Sequence, residues 1–257
     1  LALVQGFTEF LPISSSGHLV LAPSFLSWED QGLAFDVAVH LGTLIAVVAY
    51  FRHELMTMTV DWLRSVTGGP VTSESRLAWA IIWGTVPVAF AGFMISDPVE
   101  AYLRDPMVVA TSTAGFGLLL WLADVRGRRQ RDEHSLGWSD VMLIGLAQVL
   151  ALIPGTSRSG ITMSAGLLLG LTREASARFS FLLAVPVILA AALLQTVKLI
   201  KAPEPADWAA LGVGVAVAAV VAYLTIGWFL RVLGRDGMWP VAVYRRLLAA
   251  AIVIVLD

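Results

Sequence analysis

Two short segments of this chain bring together residue types that carry out chemistry. The first, TEFLPISSSGHL at residues 8–19, places Glu9, three consecutive serines and His18 within ten residues. The second, IPGTSRSGIT at residues 153–162, places Arg158 between two serines. Each segment is either a helix end with ordinary turn chemistry or one half of a shared polar site. In a shared site these groups would suit phosphoryl transfer, where positioning and charge neutralisation supply most of the catalysis.

Glu9 follows Gln5 by four residues in an apolar half-helix, so the two side chains share one helix face. An ionisable group in such a segment costs about 3 kcal/mol or more unless it is paired or hydrated, which makes Glu9 a functional candidate. The alternative is a glutamate that simply reaches water. Because oxygen ligands suit a hard divalent cation, Glu9 and Gln5 form a candidate metal site.

Ser14, Ser15 and Ser16 precede an apolar run, HLVLAPSFL, that is typical of a short helix. One serine is enough to cap a helix N-terminus, and three serines with a histidine exceed that need. A helix N-terminus also favours anions through its free amides and its dipole. If a helix begins here, His18 lies close enough to the serines to act as the base for a serine nucleophile. A structural histidine is the alternative.

Arg158 precedes a second short helix, predicted over residues 161–170. In so apolar a chain its guanidinium, which is always charged, needs a carboxylate or a phosphate as partner. A buried salt bridge to Glu9 is one solution. A bound phosphoryl group is the other, and it explains more because both helix N-termini also favour an anion.

The composition identifies the chain as an integral membrane protein. Of its 257 residues 58% are hydrophobic and only 14% are charged, and its mean hydropathy is +0.80. A soluble domain would carry charge on about 25% of its residues. The lack of cysteine excludes disulfides and thiolate metal sites. The net charge of −2 and the lack of a basic patch with interleaved aromatics indicate that nucleic acid is not a partner.

Six apolar segments are long enough, or nearly so, to cross a bilayer core of about 30 Å as helices. Two further apolar regions, 1–27 and 139–171, are interrupted near the middle by Pro and a Ser/Gly cluster. Their half-segments of about 10–15 residues predict re-entrant helical hairpins, whose irregular tips must be buried in protein or line a wet cavity. The predicted fold class is an all-α integral membrane protein with about six transmembrane helices plus two re-entrant hairpins. The six predicted spans are 35–51, 77–96, 107–124, 177–197, 208–230 and 241–256.

The two interrupted regions also resemble each other. LVQGFTEFLPISSSGHL aligns with LIGLAQVLALIPGTSRSGI, which matches Pro12 with Pro154 and, after one inserted residue, the Ser-Gly pair ending at Gly17 with the pair ending at Gly160. Further on, TVPVAFAGFM echoes AVPVILAAALL. Each half would be one hairpin plus three spans, and an odd number of spans inverts the second copy, as in many transporters. We therefore predict a single membrane domain, 1–257, built as an inverted repeat of 1–124 and 136–257.

Positive charges orient the chain, because loops rich in Lys and Arg remain in the cytoplasm. RGRRQR at residues 126–131 is the densest basic run. Counting spans outward from it places the loops 52–76 and 231–239 in the cytoplasm and the loop 97–106 outside. Hairpin 1 then enters from the outer face and hairpin 2 from the inner face, so their tips can meet near mid-membrane. Residues 54–66 predict an amphipathic helix at the interface.

The two polar segments carry a specific resemblance to a known family. QGFTEFLPISSSGHL and PGTSRSG resemble the two signature motifs of the bacterial undecaprenyl-diphosphate phosphatase family, also known for bacitracin resistance. The similarity covers essentially the whole chain, including FDVAVHLGTLIAV and REASARFSFLLAVPVILAA. It implies hydrolysis of undecaprenyl diphosphate to undecaprenyl phosphate and inorganic phosphate, with help from Mg²⁺ or Ca²⁺. That reaction would recycle the lipid carrier of peptidoglycan synthesis at the periplasmic side of the bacterial inner membrane.

The resemblance also implies roles for individual residues. Ser15 would be the nucleophile, His18 its acid/base partner and Arg158 the phosphate clamp. The family's acidic motif has Glu or Gln followed four residues later by Glu, and Gln5 and Glu9 occupy these positions. Where some members have two acids this chain has one, so metal binding rests mainly on Glu9. Supporting hydrogen bonds to the substrate would come from Ser14, Ser16, Thr156, Ser157, Ser159 and Thr162.

The same residues leave alternatives open. A phosphohistidine at His18, or a water molecule held by Glu9 and His18, would replace Ser15 as the attacking group. A membrane carrier or flippase for a lipid phosphate would bind its substrate with Arg158 and the serines on the same inverted-repeat scaffold. Such a carrier needs no nucleophile, and His18 beside the serines favours hydrolysis.

Two further features have both structural and functional interpretations. Asp36 and His40, four residues apart at the start of the first full span, form another polar pair or mark a helix that enters from water. The glycine-rich segment 211–222 permits close helix packing, within the chain or across a homodimer. The predicted partners are thus the lipid diphosphate, the membrane lipids and, in the second case, another copy of the chain.

Overall fold

The computed structural model of the chain describes residues 1–15, 17–18, 32–103, 105–201 and 207–256. Throughout these residues the regular elements are helices, and β-type pairing is limited to one isolated bridge between Arg131 and Leu171. The prediction of an all-α protein is therefore confirmed.

Ten α-helices and two 3₁₀-helices lie within the described residues. The longest, α4, continues beyond the predicted span, so most of the predicted loop 97–106 is helical. Asp97, Pro98 and Glu100 lower the hydropathy of this segment, but the fall in hydropathy does not mark the end of the helix. The α-helices are α1 Ala2–Thr8, α2 Gly32–Tyr50, α3 Arg52–Val66, α4 Ser73–Tyr102, α5 Pro106–Arg126, α6 Trp138–Val149, α7 Arg158–Leu168, α8 Arg173–Lys201, α9 Trp208–Asp236 and α10 Trp239–Leu256. The 3₁₀-helices are Glu133–Ser135 and Leu150–Leu152.

Within the described residues, four helices are long and apolar enough to cross a membrane. The number of spans rises to five if a bent pair of helices is counted as one span. The predicted amphipathic segment forms α3, which meets α2 at an angle of 80°. With four to five such helices, the protein is a multi-pass membrane protein. The four are Ser73–Ile95, Pro106–Arg126, Arg173–Val197 and Trp208–Arg235, and the bent pair is Ala34–Tyr50 with Arg52–Val66.

The second predicted hairpin is present as two short helices with an irregular tip. α6 is followed by a 3₁₀ turn at Leu150–Leu152, and α7 begins at Arg158. Pro154 in the tip has no backbone N–H with which to continue a helix. Gly155 follows with a φ of +90°, a conformation that favours glycine.

The first hairpin is described in part. α1 ends at Thr8, the chain is irregular through its tip, and helical geometry resumes at Ser15. The short helix predicted from HLVLAPSFL falls on residues 19–31, which lie outside the described residues. Phe10 anchors the tip: it is fully buried and meets Phe181 of α8 edge to face, with ring centroids 5.4 Å apart. This packing fixes the position of the neighbouring Glu9.

Helix α9 packs along α2 and against α1. A Cβ atom at Gly6 would lie 2.8 Å from Ala218 O, and one at Gly42 would lie 2.5 Å from Val215 O. Only glycine therefore allows these backbones to approach so closely. Val215 and Ala218 of the glycine- and alanine-rich segment 211–222 accordingly take part in helix packing within the chain.

Candidate active site

The tips of the two hairpins are in direct contact. Ser159 Oγ, in the first turn of α7, donates a hydrogen bond to Leu11 O at 3.0 Å. Arg245 of α10 donates to backbone carbonyls of both tips. The two polar segments, about 140 residues apart in the chain, therefore meet in space.

Glu9 and Arg158 form an ion pair between the tips. Arg158 Nη2 donates to Glu9 Oε1 at 3.1 Å, and the side chains of Arg158 and Glu9 are 12% and 10% exposed. Arg158 Nη1 donates to Ser180 O of α8 at 3.0 Å, and the guanidinium lies 6.0 Å from the centre of the Phe10 ring. The salt bridge that the sequence left as an alternative for Arg158 is thus formed.

The other carboxylate oxygen of Glu9 accepts two hydrogen bonds. Gln5 Nε2 donates to Glu9 Oε2 at 2.9 Å, and Ser15 Oγ donates to the same oxygen at 3.3 Å. Gln5 is fully buried, and its Oε1 has no hydrogen-bond partner among the described residues. The site thus combines a carboxylate, a serine hydroxyl and an amide oxygen that is free to accept.

These oxygens suit a divalent cation. A carboxylate beside an amide oxygen matches the ligands that Mg²⁺ and Ca²⁺ take in proteins. The described part of the chain has no group of three or more His, Cys, Asp or Glu that could hold a metal. An ion at Gln5 and Glu9 would therefore take its remaining ligands from water and from a bound phosphate, which is common for Mg²⁺.

Each tip places a serine at a helix start in the same way. Ser14 and Ser157 both have a φ of 70°. Ser14 Oγ accepts a hydrogen bond from Gly17 N at 3.3 Å, and Ser157 Oγ accepts one from Gly160 N at 3.2 Å. A positive φ is unfavourable for a residue with a Cβ atom, so both tips hold backbone strain next to the ion pair.

Both ring nitrogens of His18 have partners. Nδ1 lies 2.7 Å from Ser14 O, and because a carbonyl only accepts, Nδ1 carries a proton and donates. Nε2 lies 2.6 Å from Tyr244 Oη, so in the neutral ring it accepts from the tyrosine hydroxyl. The rings also stack, with centroids 5.6 Å apart. The structure thus brings His18 to Tyr244, whereas Ser15 is brought to Glu9.

The remaining predicted residues lie around the start of α7. Ser157 Oγ and Ser159 Oγ are 3.2 Å apart, and Thr162 Oγ1 lies 2.7 Å from Ser180 Oγ. Thr156 is fully buried, and its Oγ1 has no hydrogen-bond partner among the described residues. A buried hydroxyl of this kind is a candidate for contact with a ligand. Ser16 lies outside the described residues.

Arg245, which lies outside both polar segments, also belongs to this site. It is fully buried, and its guanidinium binds four backbone carbonyls within 3.1 Å. Gly117 and Gly160 leave room for it, because a Cβ atom at either position would lie 2.9 Å from an Arg245 atom. The four acceptors are Thr113 O, Pro12 O, Gly155 O and Thr156 O.

A signal for Arg245 was present in the sequence. It lies inside the predicted span 241–256, where a charge is expected to be functional. Its neighbour Arg246 is exposed, and two adjacent arginines near the start of a span are also typical of an ordinary helix end. Tyr244 carries a weaker signal, because tyrosine is frequent near membrane interfaces.

Asp36 and His40 are not among the residues that the tips bring together. His40 Nδ1 lies 2.7 Å from Asp36 O, which is a backbone atom of the same helix. This contact is the local hydrogen bond of a helical histidine, so the structural interpretation accounts for His40.

The arrangement can bind an anion and present a nucleophile to it. Arg158 supplies a positive charge with paired N–H donors, which suit phosphate oxygens. The start of α7 adds free amides and the positive end of the helix dipole. Ser15 places a hydroxyl beside this charge, against the carboxylate of Glu9.

Comparison of the sequence with known families and proteins gives independent information. The family described as "Bacitracin resistance protein BacA" matches residues 1–251. "Undecaprenyl-diphosphatase 2" of Stutzerimonas stutzeri (strain A1501) is 56% identical over 257 residues, which cover 99% of this chain and 95% of the relative. "Undecaprenyl-diphosphatase" of Nitrosococcus oceani is 58% identical over 250 residues, and that of Thioalkalivibrio sulfidiphilus (strain HL-EbGR7) is 53% identical over 251. Both matches cover 97% of this chain and 94% of the relative.

Proposed function

The chain belongs to the bacitracin resistance protein family BacA, and from this premise we propose that it is an undecaprenyl-diphosphate phosphatase. It hydrolyses undecaprenyl diphosphate to undecaprenyl phosphate and inorganic phosphate. The lipid phosphate returns to peptidoglycan synthesis and cell-wall biogenesis, which maintain cell shape, and its supply confers resistance to bacitracin. The names of relatives 53–58% identical over nearly the full chain support this proposal.

One observation carries the proposal: an ion pair joins the two tips, with Arg158 Nη2 3.1 Å from Glu9 Oε1. The Ser15 hydroxyl donates a hydrogen bond to the other oxygen of the same carboxylate. A guanidinium is a preferred partner of phosphate oxygens. A diphosphate that entered between the tips would therefore meet a positive charge, a helix N-terminus and a nucleophile together. If Arg158 exchanged its bond to Glu9 for a bond to the phosphate, the Glu9 carboxylate would be free to accept a proton from Ser15.

We propose Ser15 as the nucleophile. Its oxygen attacks the terminal phosphorus, the bond from that phosphorus to the bridging oxygen breaks, and undecaprenyl phosphate leaves. The hydroxyl proton passes to Glu9, which already accepts its hydrogen bond. Water then attacks the phosphorus of the phosphoserine, and its proton passes to His18, whose bond to Tyr244 must open to accept it. The bond from the phosphorus to Ser15 Oγ breaks as Glu9 returns its proton to Ser15 Oγ, phosphate leaves, and His18 releases its proton to water.

Two alternative mechanisms use the same residues. In one, His18 becomes the phosphorylated residue, and in the other, water held by Glu9 and His18 attacks the diphosphate directly. A rapid-quench experiment separates them. The serine mechanism predicts a burst of lipid phosphate and labelled phosphate on Ser15. Label on His18, or on no residue, contradicts the serine mechanism and leaves the phosphatase proposal intact.

We also propose that Gln5 and Glu9 hold Mg²⁺ or Ca²⁺. The buried Oε1 of Gln5, which lacks a partner among the described residues, and the adjacent carboxylate support such a site. A bound cation would neutralise part of the diphosphate charge. Arg158 and the start of α7 orient the same phosphate oxygens from the second tip. Ser14, Ser16, Thr156, Ser157, Ser159 and Thr162 are proposed to hydrogen-bond the substrate or its neighbours.

The proposed architecture is one membrane domain, 1–257, with six spans and two re-entrant hairpins, arranged as inverted repeats of 1–124 and 136–257. Equivalent contacts in the two halves support it, because α1 packs on α9 and α6 packs on α4. A Cβ atom at Gly6 would lie 2.8 Å from a carbonyl of α9, and one at Gly145 would lie 2.8 Å from a carbonyl of α4. Equivalent serine caps in the two tips support the same architecture.

We propose that the protein lies in the bacterial inner membrane, with its site open to the periplasm. The basic run 126–131 supports a cytoplasmic position for that loop. Nearby, Asp124 pairs with Arg173 at 2.6 Å and Glu133 pairs with Arg178 at 2.7 Å, as expected of helix ends near water. The proposed partners are the lipid diphosphate, the membrane lipids and a second copy of the chain.

A lipid-phosphate carrier is the alternative function. The equivalent contacts of the two halves favour it, since inverted repeats are a common plan of carriers. The Ser15 hydroxyl, which is hydrogen-bonded to the Glu9 carboxylate, favours hydrolysis. A carrier that only binds its substrate needs no nucleophile.

The deciding experiment measures phosphate release from undecaprenyl diphosphate by purified protein, with and without a chelator, for wild type and Arg158→Ala. The phosphatase proposal predicts cation-dependent release by wild type that the variant loses. Binding without release by folded wild type would overturn it and favour the carrier. Movement of lipid phosphate across vesicles would then be the measurement for that function.

A further inference from the structure

The hydroxyl of Tyr244 lies against the nitrogen of His18 that the proposed reaction uses. Tyr244 is on α10, and its Oη is 2.6 Å from His18 Nε2. The two ring planes are nearly parallel, at 8°, and their centroids are 5.6 Å apart. His18 Nδ1 is held at the same time by Ser14 O, at 2.7 Å. The imidazole is therefore fixed at both nitrogens, by the first tip on one side and by α10 on the other.

The packing of α10 keeps Tyr244 in this position. The next residue, Arg245, is fully buried and donates hydrogen bonds to carbonyls of both tips. Farther along the helix, Leu248 belongs to a buried cluster with Val109 of α5. These contacts fix the backbone of α10 beside His18. Tyr244 itself is 43% exposed, so its hydroxyl can turn away and return without displacing buried atoms.

Both protonation states of His18 in the proposed reaction need a partner at Nε2. In the neutral ring Nδ1 carries the proton, and Nε2 accepts a hydrogen bond from the Tyr244 hydroxyl. Once the attacking water has given up its proton, Nε2 carries a proton as well and becomes a donor. A phenol oxygen accepts as well as donates. Tyr244 can therefore bind the neutral ring and the imidazolium in turn, and the bond opens only while the proton is delivered.

The partner at Nε2 matters most when the ring is charged. His18 is half-buried, and a charge that is removed from water is costly unless it is hydrogen-bonded. A hydrogen bond to a charged group is also stronger than one between neutral groups. The Tyr244 oxygen therefore favours the step in which His18 gains a proton. In the first step the proton of Ser15 passes to Glu9 instead, so that step does not depend on Tyr244.

We propose that Tyr244 is a positioning residue for the second half of the reaction, the hydrolysis of the phosphoserine. It acts through His18: its hydroxyl donates to Nε2 of the neutral ring, and its oxygen accepts from the Nε2–H of the imidazolium that forms as water attacks. This inference rests on the proposed phosphatase function and on its serine mechanism. It gives α10 a part in only one of the two chemical steps.

The experiment compares wild type, Tyr244→Phe and Tyr223→Phe by rapid quench with undecaprenyl diphosphate, following lipid phosphate, inorganic phosphate and phosphate bound to the protein. Tyr244→Phe keeps the ring that stacks on His18 and loses only the hydroxyl. Its burst rate of lipid phosphate should stay within about twofold of wild type, while its steady-state kcat should fall about tenfold or more, as for the loss of one hydrogen bond to a charged group. Because only the second step slows, phosphoserine should accumulate, and KM should fall together with kcat so that kcat/KM is nearly unchanged.

Tyr223→Phe is the matched control. Tyr223 of α9 is similarly exposed, at 40%, and its ring meets Tyr50 of α2 at a centroid distance of 5.4 Å. The same hydroxyl is removed there from a ring contact outside the candidate site, so this variant should keep the wild-type burst and kcat. Thermal unfolding in detergent gives the folded fraction of each variant, and all rates are expressed per folded protein.

Each other outcome overturns the inference. An equal fall of burst rate and kcat in Tyr244→Phe would mean that Tyr244 supports the whole site. An unchanged kcat in Tyr244→Phe, or the same fall in Tyr223→Phe, would mean that the Tyr244 hydroxyl has no part in hydrolysis. A wild type that releases phosphate without phosphoserine would overturn the serine mechanism and this inference, and the phosphatase proposal would stand. A wild type that releases no phosphate would overturn the proposed function itself.

Discussion

Ser14 and Ser157 have the same φ of 70°, and each accepts the amide N–H of the glycine three residues later. The two serines stand at the tips of hairpins that approach each other, with the Glu9–Arg158 pair between them. After the cap the halves differ, because Ser15 follows Ser14 whereas Arg158 follows Ser157. The first tip thus supplies a hydroxyl and the second a positive charge, and a hydrolytic site needs both.

The strained caps lead to a prediction about stability. Ser157→Ala removes the cap but keeps the Cβ atom, so the free energy of unfolding should fall by about 1 kcal/mol. Ser157→Gly loses the same cap but relieves the positive φ, so it should differ from wild type by only a few tenths of a kcal/mol. Thermal unfolding in detergent measures both. A glycine variant less stable than the alanine variant would contradict a strained backbone at this position.

A second prediction concerns the charge on the second tip. Arg158→Lys keeps the charge but loses the fork of donors, so kcat/KM for undecaprenyl diphosphate should fall about tenfold. Arg158→Gln loses the charge as well, and a fall of about 10²–10³-fold is expected, as for removal of a group that stabilises transition-state charge. Arg246→Gln, at an exposed arginine of α10, is the control and should stay within about twofold. Equal activity of the Lys and Gln variants would contradict the clamp.

Much of this site could be predicted from sequence, because the lipid bilayer restricts which residues can occur in an apolar segment. Glu9 and Arg158 stand out because a charge in an apolar segment must have a partner. The second hairpin could be predicted because a Pro and a Ser/Gly cluster divide a run too short to cross twice. In both cases the membrane makes a charge or a helix break energetically costly. Such a residue can therefore be recognised as functional or structural from a single sequence.

The residues that were missed act through tertiary contacts. Ser180 contributes a backbone carbonyl to Arg158, and any residue type has one. Tyr244 meets His18 across more than 200 residues of chain. Neither contact leaves a local pattern. The spacing of Ser15 and His18 allowed a direct pair, but the Ser15 hydroxyl bonds Glu9 and the His18 ring bonds Ser14 O and Tyr244, and spacing alone does not encode these partners.

The pair Gln5 and Glu9 gives a third prediction. Gln5→Glu adds a second carboxylate, so the concentration of Mg²⁺ or Ca²⁺ for half-maximal activity should fall about tenfold. Glu9→Gln should abolish the response to the cation together with most of the activity. Glu174→Gln, at an exposed acid of α8, is the control and should leave the titration unchanged. A titration with chelator and defined free metal measures all three. A Gln5→Glu variant with the wild-type midpoint would place the cation elsewhere.

The last prediction separates Arg245 from Arg158, the two arginines of the site. Among the residues that the structure describes, Arg245 hydrogen-bonds to backbone carbonyls of both tips and of α5, so its role is to hold the tips together. Arg245→Met would leave four buried carbonyls without their donor, and the free energy of unfolding should fall by about 3 kcal/mol or more. Arg245→Lys restores up to three donors and should recover part of this loss.

Arg246→Met is the matched control for that series, because Arg246 is exposed on the same helix. Denaturant unfolding in detergent gives the stability, and kcat and KM are measured on the fraction that remains folded. Since Arg245 touches the tips and not the phosphate, its lysine variant should lose kcat through looser positioning while its KM changes by less than about threefold. A KM increase of more than about threefold with an unchanged kcat would contradict a purely positioning role and make Arg245 a substrate-binding residue.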